Sequence, residues 1–360
     1  MFLAFVWWDV SPEIFSFLPI RWYGTLFAIG FLVAHRLSIF LYKKEGYPAE
    51  WVDTLLTYTV IATIIGARLG HVIFYDPAYY FSHPIEILKI WEGGLASHGA
   101  TLALLFAMYL YGKRVTKKPF LWGVDRVVIV IALVAFCIRL GNLFNSEIVG
   151  MPSKNPTAFI FAYPVKEAML THLEGKIDNI SYLAEPQDTT IDGIYLKKAQ
   201  MQLTLNDKFP ISDAKKVSQL KQDVGQILRY YSDKEENHIV YLQDEITLNK
   251  TTDKKNQLQV EVWGKPRLPA QLFEALFYLC VFFITYFGFT KKNWGKKIGL
   301  TSGVFLILVF GFRFFVEYFK EVQEAWERGL LLKQGQMLSI PFVILGLVFI
   351  FLAQKRTKHE

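Results

Sequence analysis

Seven apolar runs constrain this chain more than any other feature. They fall near 22–41, 52–74, 95–112, 124–144, 268–288, 300–319 and 337–354. A helix needs about 20 residues to cross a hydrocarbon core, so each run is close to one crossing. The expected fold is an all-α polytopic membrane protein of about seven transmembrane helices. Composition agrees, because 52% hydrophobic against 20% charged residues is too apolar for an ordinary soluble domain of this length.

The basic residues fix an expected orientation. Lys43 and Lys44 follow the first run, Lys113, Arg114, Lys117 and Lys118 the third, Lys291, Lys292, Lys296 and Lys297 the fifth, and Lys355, Arg356 and Lys358 the last. These are alternate loops, so the N-terminus is expected outside, the C-terminus in the cytoplasm and the number of crossings odd. The net charge of +7 is therefore read as topology, with the lipid bilayer and not nucleic acid as partner. Met1–Phe5 has no basic stretch or small-residue cleavage pattern, and no removable signal peptide is expected.

Five segments follow from this pattern: an outer interfacial stretch 1–21 rich in Trp and Pro, membrane helices 1–4 in 22–150, an extracytoplasmic insertion 151–266, membrane helices 5–7 in 267–354, and a basic tail 355–360. The insertion is polar and has no spanning run. Leu258, Val260 and Val262 alternate like a strand, as do Ala199, Met201, Leu203 and Leu205, while Val217, Leu220, Val224, Ile227, Leu228 and Tyr231 recur at helical spacing behind Ser212 as cap. A small α+β domain is expected there, and no metal cluster, nucleophile motif or phosphate loop is seen in it. Cys137 and Cys280 lie inside runs without Cys-x-x-Cys spacing and are read as small buried hydrophobes.

Polar residues inside or beside the runs mark the candidate site. Arg139-Leu-Gly-Asn-Leu-Phe-Asn-Ser-Glu-Ile-Val-Gly150 continues the fourth run without a break. An arginine in the bilayer costs about 2.5–3.5 kcal/mol even on lenient scales, so it normally meets a partner or a wet cavity. If helical, Arg139, Asn142 and Ser146 share a face, and Gly141 leaves room for something to approach the backbone. In the second run Gly66 and Gly70 form a small-xxx-small pair beside Arg68 and His71, which share a face. Gly93 and Gly94 precede His98, which enters the third run within its first turn. Tyr23 opens the first run, Gln271 and Glu274 lie at the outer end of the fifth, and Arg313 and Glu317 stand four apart in the sixth, where mutual neutralisation would itself ease insertion. Pro341 is expected in the first turns of the last helix.

The dodecamer 139–150 resembles the signature of the phosphatidylglycerol–prolipoprotein diacylglyceryl transferase family. Trp22-Tyr23-Gly24, Gly93-Gly94-Leu95-x-x-His98-Gly99, Gln271-Leu272-x-Glu274, Arg313-x-x-x-Glu317 and Gly335-Gln336-x-Leu338-Ser339-x-Pro341 are similar to further family blocks in the same order. The resemblance implies transfer of the sn-1,2-diacylglyceryl group of phosphatidylglycerol to the lipobox cysteine of a prolipoprotein signal peptide, in the bacterial inner membrane, as the first step of lipoprotein maturation. It implies no cofactor and no metal. Under it His98, Arg139, Arg313 and Tyr23 carry catalysis, with His98 as base and the arginines on phosphate. Arg139, Asn142, Glu147, Gly150, Arg68, Glu274 and Glu317 bind substrate.

The chain departs from the family where Leu268, Ala270 and Phe273 replace a usual His, Ser and Tyr, where Ile138 and Ala100 replace glycines, and in its long insertion. A lipid or solute transporter would also hold intramembrane arginines but should show internal repeats, and no such symmetry is seen. A scaffold without catalysis would tolerate loss of Arg139.

Overall fold

The computed structural model describes residues 5–15, 17–90, 93–232, 238–242, 246–250, 256–320 and 331–357. Met1 to Ala4, Trp91, Glu92 and Lys358 to Glu360, which enter the readings of the N-terminus, the second loop and the basic tail, lie outside these residues. Ten α-helices and nine strands are described: β1 (Val6–Trp8), β2 (Glu13–Phe15), β3 (Leu18–Arg21), α1 (Trp22–Lys44), α2 (Glu50–Phe74), α3 (Pro77–Ser82), α4 (Ser97–Tyr111), α5 (Phe120–Phe144), β4 (Phe159–Phe161), α6 (Tyr163–His172), β5 (Ile177–Ile191), β6 (Ile194–Leu205), α7 (Ala214–Ser232), β7 (Ile239–Val240), β8 (Thr247–Lys250), β9 (Asn256–Gly264), α8 (Ala270–Lys291), α9 (Leu300–Val316) and α10 (Gln334–Thr357).

Among the described residues six helices are long and apolar enough to cross a membrane: α1, α2, α5, α8, α10 and α9 with the 3₁₀ turn that continues it to Phe319. The run expected at 95–112 is shorter than the rest. Gly93 and Gly94 hold positive φ, so α4 starts only at Ser97, and its 15 α-helical residues give way to a wider π-turn over Gly112–Thr116. Fifteen residues rise about 22 Å, less than a hydrocarbon core.

The chain divides into two compact units. The helical unit holds 27–138, 275–315 and 331–360. Glycines set its helix contacts: Gly66 and Gly70 of α2 meet Gly99 of α4 so closely that a β-carbon at 70 would lie 2.7 Å from Gly99 Cα. A β-carbon at Gly303 of α9 would likewise lie 2.7 Å from the Gly346 carbonyl of α10. Two buried charged groups of this unit are satisfied by partners from other elements. The buried Asp125 carboxylate of α5 accepts from Gly299 N (2.6 Å), Ser302 N (2.8 Å) and Ser302 Oγ (2.7 Å), capping the N-terminus of α9 from another helix. Arg126 donates to both oxygens of Glu45 at 2.7 Å and to the Trp122 carbonyl. Cys137 is buried under Gly30, whereas Cys280 is exposed, because its helix turns that side away from the packed face. α10 begins at Gln334, which leaves Pro341 inside the helix.

The second unit holds 1–26, 139–274 and 316–330. Its sheet is antiparallel in the order β5-β6-β9-β7, with β8 also on β9. Leu258, Val260, Val262, Ala199, Met201, Leu203 and Leu205 face one core, as alternation requires, together with Leu220, Val224 and Leu228 of α7. The cap of α7 is Asp213 and not Ser212: its Oδ1 accepts from Lys215 N (3.0 Å) and Lys216 N (3.3 Å), which a carboxylate one residue closer to the helix can reach. β1 pairs in parallel with β4, so Trp7 stacks on Tyr182 (5.4 Å) and Trp8 on Phe159 (5.6 Å).

Candidate active site

The motif 139–150 lies in the sheet-bearing unit, and its geometry follows from where α5 stops. The helix ends at Phe144, Ser146 turns into the left-handed region at φ 55° and Ile148 at φ 59°. Ser146 is therefore not on the face shared by Arg139 and Asn142. A β-branched residue at positive φ is strained, so the surroundings must hold it. They do so through Glu147. Its Oε1 accepts from Asn142 Nδ2 (2.8 Å) and Asn145 Nδ2 (3.1 Å), its N–H donates to the Asn142 carbonyl (3.1 Å), and its carbonyl accepts from the buried Gln271 Nε2 (2.6 Å).

What approaches Gly141 is Tyr23. A β-carbon at 141 would lie 2.8 Å from Tyr23 Cδ2 and 3.0 Å from its Cα, and Trp22 stacks on Phe144 at 4.9 Å. Gly150 serves a backbone crossing: its N–H donates to Leu268 O (2.9 Å), and a β-carbon would lie 2.6 Å from that oxygen and 3.0 Å from Phe319 O. Glu274, 1% exposed, meets Arg139 Nε at 2.7 Å through Oε2 and Lys320 Nζ at 2.6 Å through Oε1. The Arg139 contact is one of charge, because Glu274 Oε2 receives no aligned N–H among the described residues. Tyr23, Arg139, Asn142, Glu147, Gly150 and Glu274 thus come together in one unit. Lys320 and Gln271 join them, though the motif reading assigned neither a role. The signal for Lys320 was a lysine seven residues beyond Arg313, directly after an apolar run.

The arginines differ in what their donors do. In the helical unit, Arg68 is 5% exposed and gives Nε to Ile87 O (2.9 Å), Nη1 to Gly93 O (2.8 Å) and Gly94 O (3.2 Å), and Nη2 to Glu86 O. Its guanidinium is spent on the loop before α4. Beyond its ion pair with Glu274, Arg139 makes one long bond among the described residues, Nη1 to Asn142 Oδ1 at 3.4 Å. Arg313 Nε is buried with no hydrogen-bond partner among the described residues. His98, exposed at the second position of α4, lies edge-on to Phe74 (4.9 Å) and stacks on Tyr75 (5.9 Å), with no hydrogen bond among the described residues. The α-helix carrying Arg313 ends at Val316, so Glu317 opens a 3₁₀ turn instead of completing the same α-helical face.

A guanidinium with free donors, held by a buried carboxylate beside an apolar helix, is suited to an oxyanion such as a phosphate ester. Residues 11–352 match the family model described as prolipoprotein diacylglyceryl transferase. The chain belongs to that family. It is 32% identical over 359 residues to the phosphatidylglycerol–prolipoprotein diacylglyceryl transferase of Chloroherpeton thalassium, covering 99% of this chain and 97% of that protein. The protein of the same name from Tolumonas auensis is 33% identical over 353 residues, covering 97% and 98%. That from Porphyromonas gingivalis is 44% identical over 178 residues, covering 49% of this chain and 62% of that one. Every block quoted from the sequence lies inside the span that matches the diacylglyceryl transferase family, and so does the long insertion.

Proposed function

We propose that this protein transfers the sn-1,2-diacylglyceryl group of phosphatidylglycerol to the lipobox cysteine of prolipoprotein signal peptides. The observation that carries the reading is the likeness to diacylglyceryl transferases along nearly the whole chain. In the reaction a cysteine sulfur attacks the glyceride carbon bonded to the phosphate ester. A C–S bond forms, the C–O bond breaks, and glycerol phosphate leaves with the electron pair. Two demands follow: a group that takes the thiol proton, and cations that hold the phosphate as charge collects on it.

Arg139 and Arg313 are assigned the phosphate, which their uncommitted donors support. His98 is assigned the thiol proton, since an imidazole free of other hydrogen bonds can accept it. Tyr23, seated against Gly141, is assigned to the headgroup. Asn142 and Glu147 brace the motif turn and Gly150 its crossing. Glu274 holds Arg139 and Lys320, Glu317 is assigned to substrate binding, and Arg68 holds the loop that leads to His98. The protein is assigned to the bacterial inner membrane, with α4 and the π-turn that continues it as a seventh crossing, the N-terminus and the sheet-bearing insertion outside, and the C-terminus in the cytoplasm, as the loop lysines direct.

The test reconstitutes the purified protein with phosphatidylglycerol and a lipobox peptide. The expected products are a diacylglyceryl mass gain on the peptide cysteine and free glycerol phosphate in equal amount. Passage of lipid or solute across the bilayer with neither product would establish a transporter instead. His98→Gln separates the base from the rest, and near-normal rates across the pH range would remove it from the mechanism.

A further inference from the structure

We infer that Trp8 is a positioning residue for the motif 139–150, which it joins to the sheet-bearing insertion. The inference rests on the reading that this motif holds the lipid, and goes beyond it by giving the insertion a part in the reaction. β1 is a short strand, and its alternation sends neighbouring tryptophans to opposite sides. Trp7 goes to the insertion. It stacks on Tyr182 of β5 at 5.4 Å, packs against the core shared by the sheet and α7, and would lie 2.7 Å from a β-carbon at Gly264. Trp8 goes to the motif. Its ring lies 5.8 Å from that of Phe144 and 5.6 Å from that of Phe159, the first residue of β4. Phe144 is the last residue of α5 and also carries Trp22, stacked at 4.9 Å. Two indoles from the N-terminal segment therefore bear on the residue at which the motif leaves its helix.

What Phe144 steadies is the turn around it. Asn145 N donates to Gly141 O (3.0 Å), Ser146 N to Leu143 O (3.1 Å) and Glu147 N to Asn142 O (3.1 Å), so these bonds straddle Phe144. Their carbonyls belong to the stretch of α5 that presents Asn142 and receives Tyr23 against Gly141. β1 is tied to the insertion on its other side. It runs parallel to β4 from Val6 beside Phe159 to Trp8 beside Phe161, Ala162 N donates to Trp8 O at 2.9 Å, and Asp9 pairs with Lys166 of α6 at 3.3 Å. Trp8 Nε1 is buried with no hydrogen-bond partner among the described residues, so the tryptophan contributes its ring face and not its N–H.

The test uses the full-length protein with phosphatidylglycerol and a lipobox peptide. Trp8→Leu removes the ring face and keeps an apolar side chain. It is expected to lower kcat/KM for phosphatidylglycerol about tenfold, inside the roughly 100-fold that a misplacement of about 1 Å can cost. Trp8→Phe keeps a ring face and should stay within about threefold of wild type. Phe144→Leu should cost at least as much as Trp8→Leu, and adding Trp8→Leu to it nothing further, because both act through one contact. Hydrogen exchange reads that contact without turnover. In Trp8→Leu the amides of 145–147 should exchange about tenfold faster while those of β6 and β9 keep their wild-type rates. A merely structural tryptophan would loosen sheet and motif together. Losses that add, a Trp8→Phe protein as impaired as Trp8→Leu, motif amides with unchanged exchange, or sheet amides that speed up with them overturn the inference. Failure of wild-type protein to lipidate the peptide would overturn the functional reading instead, and the exchange rates would still decide whether Trp8 holds the motif.

Discussion

Arg139 shows how much one guanidinium depends on what its neighbours leave it. Its charge is steadied by Glu274 while its N–H groups are nearly all unspent, so Arg139→Lys, which keeps charge but loses the planar fork, is expected to lower kcat/KM for phosphatidylglycerol by about 100-fold or more in the peptide assay. Gly141→Ala tests the Tyr23 contact. The added carbon meets backbone as well as ring, so a loss of about 1–3 kcal/mol in thermal stability is expected, with reduced turnover. His238, in the sheet-bearing unit, gives a pH prediction. Burial first, then the Arg267 and Lys265 charges, push its pKa down to about 3. The unfolded chain, with an ordinary imidazole near 6.5, therefore binds the proton more readily. Stability should fall as pH drops from about 6.5 toward 3, by at most about 1.4 kcal/mol per unit. Melting curves at pH 7 and pH 5 check this, and His238→Gln should flatten the difference.

At the scale of elements, the Asp125 cap is the contact whose loss should be felt furthest. Asp125→Ala strands three buried donors at the start of α9, and a cost of roughly 2–4 kcal/mol is expected, read as a lower melting temperature in detergent. The helices themselves were legible because their apolar length is a local property. Six of the seven expected runs became helices long enough to span, with starts within about four residues of those read from the chain. The small-xxx-small pair at Gly66 and Gly70 was legible for the same reason. Helix ends were less so. The reading of Ser146 on the α5 face failed because the helix is stopped by Glu147 folding back onto Asn142, a contact that spacing does not encode. The short α4 and the Asp213 cap were likewise decided by the φ of two glycines and the reach of one carboxylate. Asp192-Gly193, both at positive φ between β5 and β6, shows the opposite case, a tight hairpin signal present in the sequence.

For the whole molecule, the sequence placed charged and polar residues near run ends but could not sort them into partners. Glu274 was visible as a carboxylate beside an apolar run, yet its bond to Lys320 joins residues 46 apart in number, and only the fold supplies it. The assigned topology is testable without activity. A single cysteine at Gly193, on the β5–β6 turn, introduced into a protein lacking Cys137 and Cys280, should react with a membrane-impermeant maleimide in intact cells. One at Arg114 should react only after lysis, and the opposite pattern would invert the protein. The loop ahead of α4 has a last consequence, for genetics. Arg68 grips four carbonyl groups between residues 86 and 94, so losing it frees the strand of chain that delivers His98. A survival screen would score positions 68 and 139 alike, whereas photocrosslinking to a labelled phospholipid should mark the second and pass over the first.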